Sequence, residues 1–253
     1  MQDFYLVTGQ EQLNDYQHFV WKYKNQLQDY IAFLKKQYQV FDLPQAIVWA
    51  DYTSATKLVR QIPIPAYTNE ARIVMTPDKK VWQDIYLRQL EEYPNSSDVQ
   101  SIRQHYHQLS DRAVLQIIGH ELAHCSDLFL DDFDDYDSYI WFEEGMVEYI
   151  SRRYFLTPEE FEDEKEANKL LVKLFQEQRG WHSLNEFGQS TYDGNYASIF
   201  YEYWRSFLTI DQLVDNLGSV EAVFQVYQKW AETDKEQPLL NWLIDKNYLL
   251  TEL

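Results

Sequence analysis

The first forty residues carry a helical pattern of apolar positions. Apolar side chains recur every three or four residues from 10 to 38, which predicts one long amphipathic helix. Many of these side chains are aromatic, and an aromatic stripe at this spacing is typical of core packing. We therefore expect the segment 1–40 to be a helix that packs on the rest of the chain.

The pattern changes to short β-prone runs after residue 40. Ala46-Ile-Val-Trp-Ala50 and Ala71-Arg-Ile-Val-Met75 each have the length of a strand and precede polar or turn residues. A third strand is expected near 62–68. Helices are expected in the same region at 54–61, 78–92 and 98–109.

From residue 111 onward every periodic segment is helical. Thr157-Pro-Glu-Glu160 has the sequence of a capping box with proline at the first helical position, and Gly180 follows the same helix. The expected helices are 111–130, 139–155, 158–178, 192–208, 211–216, 219–231 and 237–247. The whole pattern predicts a helix-rich α+β protein, divided into residues 1–40, a part with a small sheet at 41–155, and a helical part at 156–253.

One predicted helix contains the motif His-Glu-x-x-His, formed by His120, Glu121 and His124. Residues four apart lie on one face of a helix, so both imidazoles can bind one metal ion, and Glu121 can take a proton from a metal-bound water. The rest of this helix is almost entirely apolar, which predicts burial. Buried histidines are costly without partners, and a zinc ion would remove that cost.

A zinc site needs at least three protein ligands, so a third ligand separates a metal site from a chance pentapeptide. The metzincin pattern is excluded, because it needs a histidine where this chain has Leu130. Asp127 lies one turn beyond His124 but would crowd the same helix. The remaining candidate is the segment Trp141-Phe-Glu-Glu-Gly-Met-Val-Glu-Tyr149.

That segment resembles the gluzincins, the thermolysin- and aminopeptidase-like zinc peptidases. Members carry His-Glu-x-x-His on one helix and a glutamate on the next, often within aromatic-x-x-Glu-Gly-x-x-x-Tyr. The resemblance implies a zincin-like catalytic core in 41–155, with Zn²⁺ bound by His120, His124 and Glu144. It further implies Glu121 as general base and Glu148 as the carboxylate that holds a ligand histidine.

The resemblance extends loosely to two further segments. The run from Thr191 to Tyr201 is similar to the family's Tyr-x-x-Gly helix, whose tyrosine stabilises the oxyanion. Gly194 is displaced by one position and Asn195 stands at the glycine site, so the resemblance favours Tyr192 and keeps Tyr196 as the alternative. Residues 71–76 would be the sheet edge to which an extended peptide adds as a strand. The family's aminopeptidase segment Gly-x-Met-Glu-Asn is missing from the sequence, so an exopeptidase is not indicated.

Charge and composition limit the classes of binding partner and the location that we expect for this protein. The net charge is −19, which disfavours nucleic acid and would attract cationic peptides. The single cysteine, Cys125, cannot form an internal disulfide, the polar N-terminus lacks a signal-peptide pattern, and no apolar stretch is long enough to span a membrane. We therefore expect a cytoplasmic protein.

The acidic run 131–137 is expected to be a solvated loop, and His105 and His107 are expected at the surface.

The function expected from these observations is zinc-dependent hydrolysis of a peptide or protein substrate. The sequence leaves the oligomeric state and the cleavage preference open. Two alternatives also stay open: a zinc-binding protein without turnover, and a metal-free helical interaction protein in which the motif is a coincidence.

Overall fold

The computed structural model describes residues 1–130 and 139–252, so the acidic run 131–137 lies outside the described residues. These described residues are 67% helical and include one small mixed sheet, which confirms the helix-rich α+β class. The strands are β1 Gln2–Leu6, β2 Ala46–Ala50, β3 Ala66–Thr68 and β4 Arg72–Met75. The α-helices are α1 Gln10–Tyr38, α2 Lys79–Arg88, α3 Ser97–His107, α4 Asp111–Ala123, α5 Ile140–Phe155, α6 Pro158–Arg179, α7 Tyr196–Leu217, α8 Val220–Thr233 and α9 Leu239–Asp245.

The four strands lie in the order β1-β2-β4-β3. β1, β2 and β4 are parallel, with Phe4 paired to Val48 and Val48 paired to Val74. The two strands predicted from the sequence, β2 and β4, are confirmed. β1 was not predicted, because its apolar residues, Phe4 to Leu6, form too short a run to distinguish a strand.

β3 is antiparallel to β4 and forms the other edge of the sheet. The Asn69 side chain closes the turn between these two strands by accepting hydrogen bonds from the backbone N–H groups of Ala71 and Arg72, both at 3.0 Å. The third strand expected near 62–68 is therefore confirmed. The expectation that 71–76 would be the sheet edge is wrong, since this hairpin places β4 between β2 and β3.

Helix α1 has the predicted bounds and lies against α4. The Tyr30 side chain is fully buried and donates a hydrogen bond from its hydroxyl to the carbonyl oxygen of Gly119, at 3.0 Å. A methyl group at Gly119 would stand only 2.5 Å from the ring of Phe155. The missing side chain at Gly119 thus lets α1 and α5 pack close to the helix that carries the histidine motif.

The C-terminal half is helical, as predicted, with one difference. The capping box at Thr157 and Glu160 is present and starts α6. The segments expected as separate helices at 192–208 and 211–216 form one helix, α7, which starts after the Asn195 cap and ends at Gly218. The buried positions Thr209 and Ile210 continue its inner face, so nothing breaks the helix there.

Buried apolar side chains form one large core cluster that includes residues from all three predicted parts of the chain, such as Tyr30, Trp141 and Trp230. No helix among the described residues is both long and apolar enough to cross a membrane.

Candidate metal centre

The helix α4 carries the histidine motif into the core. Ser110 caps its start by accepting a hydrogen bond from the backbone N–H of Arg112, and every residue from Val114 to Ala123 is buried. The predicted extension of this helix to residue 130 is wrong. The chain leaves the helix after His124 because Ser126 then bonds the end of α1, donating from its hydroxyl to the carbonyl oxygen of Tyr38.

The structure brings together the two imidazoles and one carboxylate of the next helix. The Nε2 atoms of His120 and His124 lie 3.1 Å apart, and the Oε2 atom of Glu144 lies 3.2 Å from the first and 3.6 Å from the second. Among the described residues, these three form the one group of histidine, cysteine or carboxylate side chains whose ligand atoms all lie within 4.8 Å of one another. Asp127, the other ligand candidate, is exposed.

Two more carboxylates of α5 face the outer nitrogens of the imidazoles. Glu143 Oε1 lies 2.6 Å from the Nδ1 atom of His124, and Glu148 Oε1 lies 3.0 Å from the Nδ1 atom of His120. A carboxylate at Nδ1 holds the proton on that nitrogen and leaves the lone pair on Nε2. Both rings therefore present lone pairs toward the same point, where Glu144 adds a negative oxygen.

The electrostatics of the site favour a cation at that point. Burial opposes protonation of His120, but hydrogen bonds to Glu144 and Glu148 outweigh burial and raise the pKa of His120 to about 9. Burial would also raise the pKa of Glu144, yet the adjacent His124 and His120 hold it well below its usual range. Two converging nitrogen lone pairs and one buried carboxylate thus need positive charge between them, supplied by protons or by a metal ion.

The donor set fits zinc. Zinc binds imidazole nitrogen and carboxylate oxygen, and zinc sites with three protein ligands of this kind keep a fourth position for water or substrate. A carboxylate also lies next to the outer nitrogen of each imidazole, as second contacts of a metal site usually do. The residues present can therefore hold a zinc ion without rearrangement of the helices.

Glu121 stands next to the two histidines on the same helix and has its own partner on the sheet. The Thr68 hydroxyl donates to Glu121 Oε2 at 2.5 Å. Burial raises the pKa of Glu121, while the nearby imidazoles and the Thr68 hydrogen bond act in the opposite direction. Its carboxylate is thus a stronger base than an exposed glutamate, and β3 fixes its orientation.

A cavity of about 210 Å³ opens beside the three candidate ligands. Its lining includes the edge strand β3, the candidate base and two tyrosines: Ala66, Tyr67, Thr68, His120, Glu121, His124, Glu144, Tyr192 and Tyr203. The Tyr192 and Tyr203 hydroxyls lie 2.6 Å apart, and the Tyr203 ring is 6.1 Å from the ring of His120. A substrate that reached the metal would therefore pass these hydroxyls.

The two tyrosines proposed from the sequence lie in different places. Tyr192 is on a short 3₁₀ turn, Gln189–Asp193, and lines the cavity. Tyr196 starts α7 outside the cavity lining, where its hydroxyl lies 2.9 Å from that of Tyr52 and donates to the carbonyl oxygen of Pro63. The geometry therefore favours Tyr192 over Tyr196 as a group that contacts substrate.

Sequence reasoning missed three side chains of this site: Thr68, Glu143 and Tyr203. Glu143 directly precedes the predicted ligand Glu144 on α5, and this adjacency was the available signal. Thr68 and Tyr203 come close to the motif only through the tertiary fold. Thr68, for example, lies 53 residues before Glu121 in the sequence. No local pattern marks either of them.

In comparisons with known proteins, no family model, no curated protein and no solved structure matches the chain. The functional conclusion therefore depends on the geometry of the site and on the motif that forms it.

Proposed function

We propose that this protein is a zinc-dependent metallopeptidase of the gluzincin type with a zincin-like core. The observation that carries the proposal is the convergence of His120 Nε2, His124 Nε2 and Glu144 Oε2 within 4.8 Å. Glu121, a buried carboxylate, lines the same cavity. This combination is typical of metal-assisted hydrolysis, in which three protein ligands and a general base surround one water molecule.

The open cavity favours an enzyme over a purely structural zinc site. Structural zinc sites are closed by four protein ligands, whereas catalytic sites use three and keep one position free. Three donors converge here, and the cavity beside them gives access to the remaining position. A structural site also has no use for the buried carboxylate of Glu121 next to the ligands.

Each group of the cavity has a chemical task in the proposed reaction. A bound zinc ion would supply a Lewis acid that acidifies water and polarises the scissile carbonyl. Glu121 accepts the proton of the attacking water and delivers it to the leaving amine. Thr68 holds Glu121 in place, and the hydroxyl pair of Tyr192 and Tyr203 donates toward the oxygen on which negative charge develops.

The edge strand β3 is the proposed place for an extended substrate. Ala66, Tyr67 and Thr68 line the cavity, and β3 is the last strand of the sheet on this side. A peptide that adds to this edge as a further strand would lie across the candidate metal centre. The net charge of −19 would favour cationic peptides as substrates.

A defined peptide pool tests this function. The zinc-loaded protein should cleave peptides from the pool, and Glu121→Gln should keep zinc but lose turnover by a factor of about 10² or more, because the glutamine cannot accept the proton. Glu159→Gln is the matched control, since Glu159 is exposed in the first turn of α6. Undiminished cleavage by Glu121→Gln would contradict the mechanism. Zinc binding without cleavage of any peptide would favour the non-catalytic alternative.

A further inference from the structure

A chain of polar side chains that are buried or largely buried lies behind the candidate metal centre, outside the lining of the cavity. Its first member is Glu148, whose Oε1 faces the Nδ1 atom of His120. The other oxygen, Oε2, lies 2.6 Å from Nε of Arg152 and accepts a hydrogen bond from Gln116 at 3.2 Å. Both oxygens of the Glu148 carboxylate therefore have partners. Of the two contacts that Oε2 makes, the one with Arg152 is shorter than the one with Gln116.

Arg152 is buried and is held from three directions. One terminal nitrogen, Nη1, donates to Asn168 Oδ1 at 2.8 Å, and the other, Nη2, lies 3.6 Å from Oε1 of Glu164. The guanidinium carbon stands 4.1 Å from the centre of the Phe207 ring. The guanidinium is thus held by one hydrogen bond, two ion-pair contacts and one aromatic ring, and in this orientation Nε lies toward Glu148.

Glu164 anchors the far end of the chain. It accepts a hydrogen bond from Asn168 at 2.9 Å, and its Oε2 lies 2.7 Å from Nε2 of His105 on α3. His105 was expected at the surface; its side chain is instead only 23% exposed and pairs with Glu164. The contacts run from α3 through α6 and α5 to the histidine of α4, so four helices hold the orientation of one imidazole.

From this geometry we propose that Arg152 is a positioning residue of the metal centre, which acts through Glu148 on His120 and is held in place by Glu164. The inference rests on the proposed metal site. Glu164 alone would be enough to neutralise the positive charge of Arg152. The guanidinium nevertheless also contacts Glu148. That second contact fixes the carboxylate against the Nδ1 proton of His120 and so directs the Nε2 lone pair toward the metal.

The test compares zinc affinity among variants of neighbouring arginines. Arg152→Lys keeps the positive charge but cannot bond Glu148, Asn168 and Glu164 together, and it should weaken zinc binding by about tenfold, as loss of an outer partner of a ligand does. Arg153→Lys is the matched control, because the Arg153 side chain is 44% exposed and pairs with Asp211 instead. Zinc affinity of the control should stay within about twofold of the wild type.

Two readouts separate positioning from a structural role. The dissociation constant of zinc is measured by competition with a chromophoric chelator, and the visible spectrum of the cobalt-substituted protein reports the ligand geometry. Thermal unfolding of the metal-free variants is measured in parallel. Weakened zinc binding together with a changed cobalt spectrum in Arg152→Lys, but not in Arg153→Lys, is the expected result.

Glu164→Gln provides a second variant of nearly unchanged shape, in case Arg152→Lys does not fold. It should weaken zinc binding in the same direction, by less than Arg152→Lys. If either variant binds zinc as tightly as the wild type and only unfolds at a lower temperature, Arg152 is structural and the inference is wrong while the metal site stands. If the wild type binds no zinc, the proposed function and this inference both fail.

Discussion

Four glutamates with little exposure surround two imidazoles at the candidate metal centre, and their roles differ with the atoms that they contact. Glu144 faces both Nε2 atoms, while Glu143 and Glu148 face one Nδ1 atom each. Glu121 is bonded to Thr68. Position on the helix, rather than residue type, thus decides which carboxylate would bind metal, which orients a ligand and which acts as base.

The contact between Thr68 and Glu121 gives a first prediction. Thr68→Val keeps the shape of the side chain but removes the hydroxyl, and a hydrogen bond to a charged group is typically worth about 1.5–3 kcal/mol. We expect turnover to fall by about tenfold or more, with zinc content unchanged. The control is Thr56→Val, which removes a hydroxyl that donates to the carbonyl oxygen of Tyr52 instead. Equal losses of turnover in both variants would contradict the assignment.

The tyrosine pair gives a second prediction. Tyr192→Phe and Tyr203→Phe should each lower kcat by about 10² without loss of zinc, because each removes one hydroxyl from the pair that faces the developing oxyanion. The double variant should be hardly worse than either single variant, since the two hydroxyls act as a unit. Tyr196→Phe, whose hydroxyl bonds Tyr52 and Pro63, should stay close to wild type. A large loss in Tyr196→Phe alone would reverse the assignment.

At the scale of helices, the close approach of α5 and α7 depends on Gly145. A methyl group there would stand 2.5 Å from the carbonyl oxygen of Ser206, an atom of the α7 backbone that cannot rotate away. Gly145 directly follows Glu144, so any shift of α5 also moves the candidate ligand. The packing of two helices is thus tied to the geometry of the metal centre.

Gly145→Ala should therefore destabilise the protein, although alanine is the better helix former. Overpacking typically costs about 1–3 kcal/mol, against a helix-propensity gain of about 1 kcal/mol. We expect a melting temperature lower by a few degrees, since each kcal/mol corresponds to about 2–4 °C in a protein of this size. Gly9→Ala is the control, because no described atom lies within 4 Å of a methyl group there. An unchanged melting temperature in Gly145→Ala would show that α5 and α7 can separate freely.

The pair of Glu164 and His105, which joins α6 to α3, should make stability depend on pH. Burial opposes the charge of Glu164, but the His105 hydrogen bond and Arg152 outweigh it and lower the pKa of Glu164 from 4.5 to about 2. Burial likewise opposes protonation of His105, and the hydrogen bond to Glu164 outweighs it and raises the pKa of His105 above 6.5.

The signs of these shifts define a pH window. The contribution of Glu164 is present above pH 4.5 and is lost as the pH falls toward 2. The contribution of His105 is present below pH 6.5 and is lost as the pH rises through its raised pKa. The melting temperature of Glu164→Gln should therefore fall furthest below that of the wild type between pH 4.5 and 6.5, and less on either side. A difference independent of pH would contradict this account.

The sequence was most informative where the signal is local. The apolar spacing over 10–38 predicted α1, and the residues Thr157 to Glu160 predicted the capping box, because both depend on neighbours within a few positions. β1 was missed since its apolar residues, Phe4 to Leu6, form too short a run to mark a strand. The end of α4 was placed too late, because what ends it is the contact of Ser126 with α1.

The same limit applies to the candidate site. His-Glu-x-x-His and the following Glu144 are visible in the sequence, since each lies within one helix. The partners that complete the site come from other elements: Thr68 from the sheet, Tyr203 from α7 and the Glu164–His105 pair from α6 and α3. Side chains distant in sequence carry no local pattern, so only the fold could assign them.

At the scale of the whole molecule, negative charge dominates. The chain has a net charge of −19, and the buried carboxylates at the candidate centre outnumber the imidazoles they surround. A divalent cation would reduce this local excess while joining α4 to α5. The sheet, α4, α5 and α7 all border the same cavity, so one ion at the candidate centre would lie where these elements meet.

The most direct measurement is the zinc content of the purified protein after incubation with the metal at neutral pH and removal of excess metal. About one zinc per chain is expected for the wild type, following the three-ligand geometry of such sites. The ion should be lost in Glu144→Ala, and kept in Glu121→Gln and in the exposed control Glu159→Ala. A wild-type protein that holds no zinc, or a Glu144→Ala variant that holds as much as the wild type, would contradict the account.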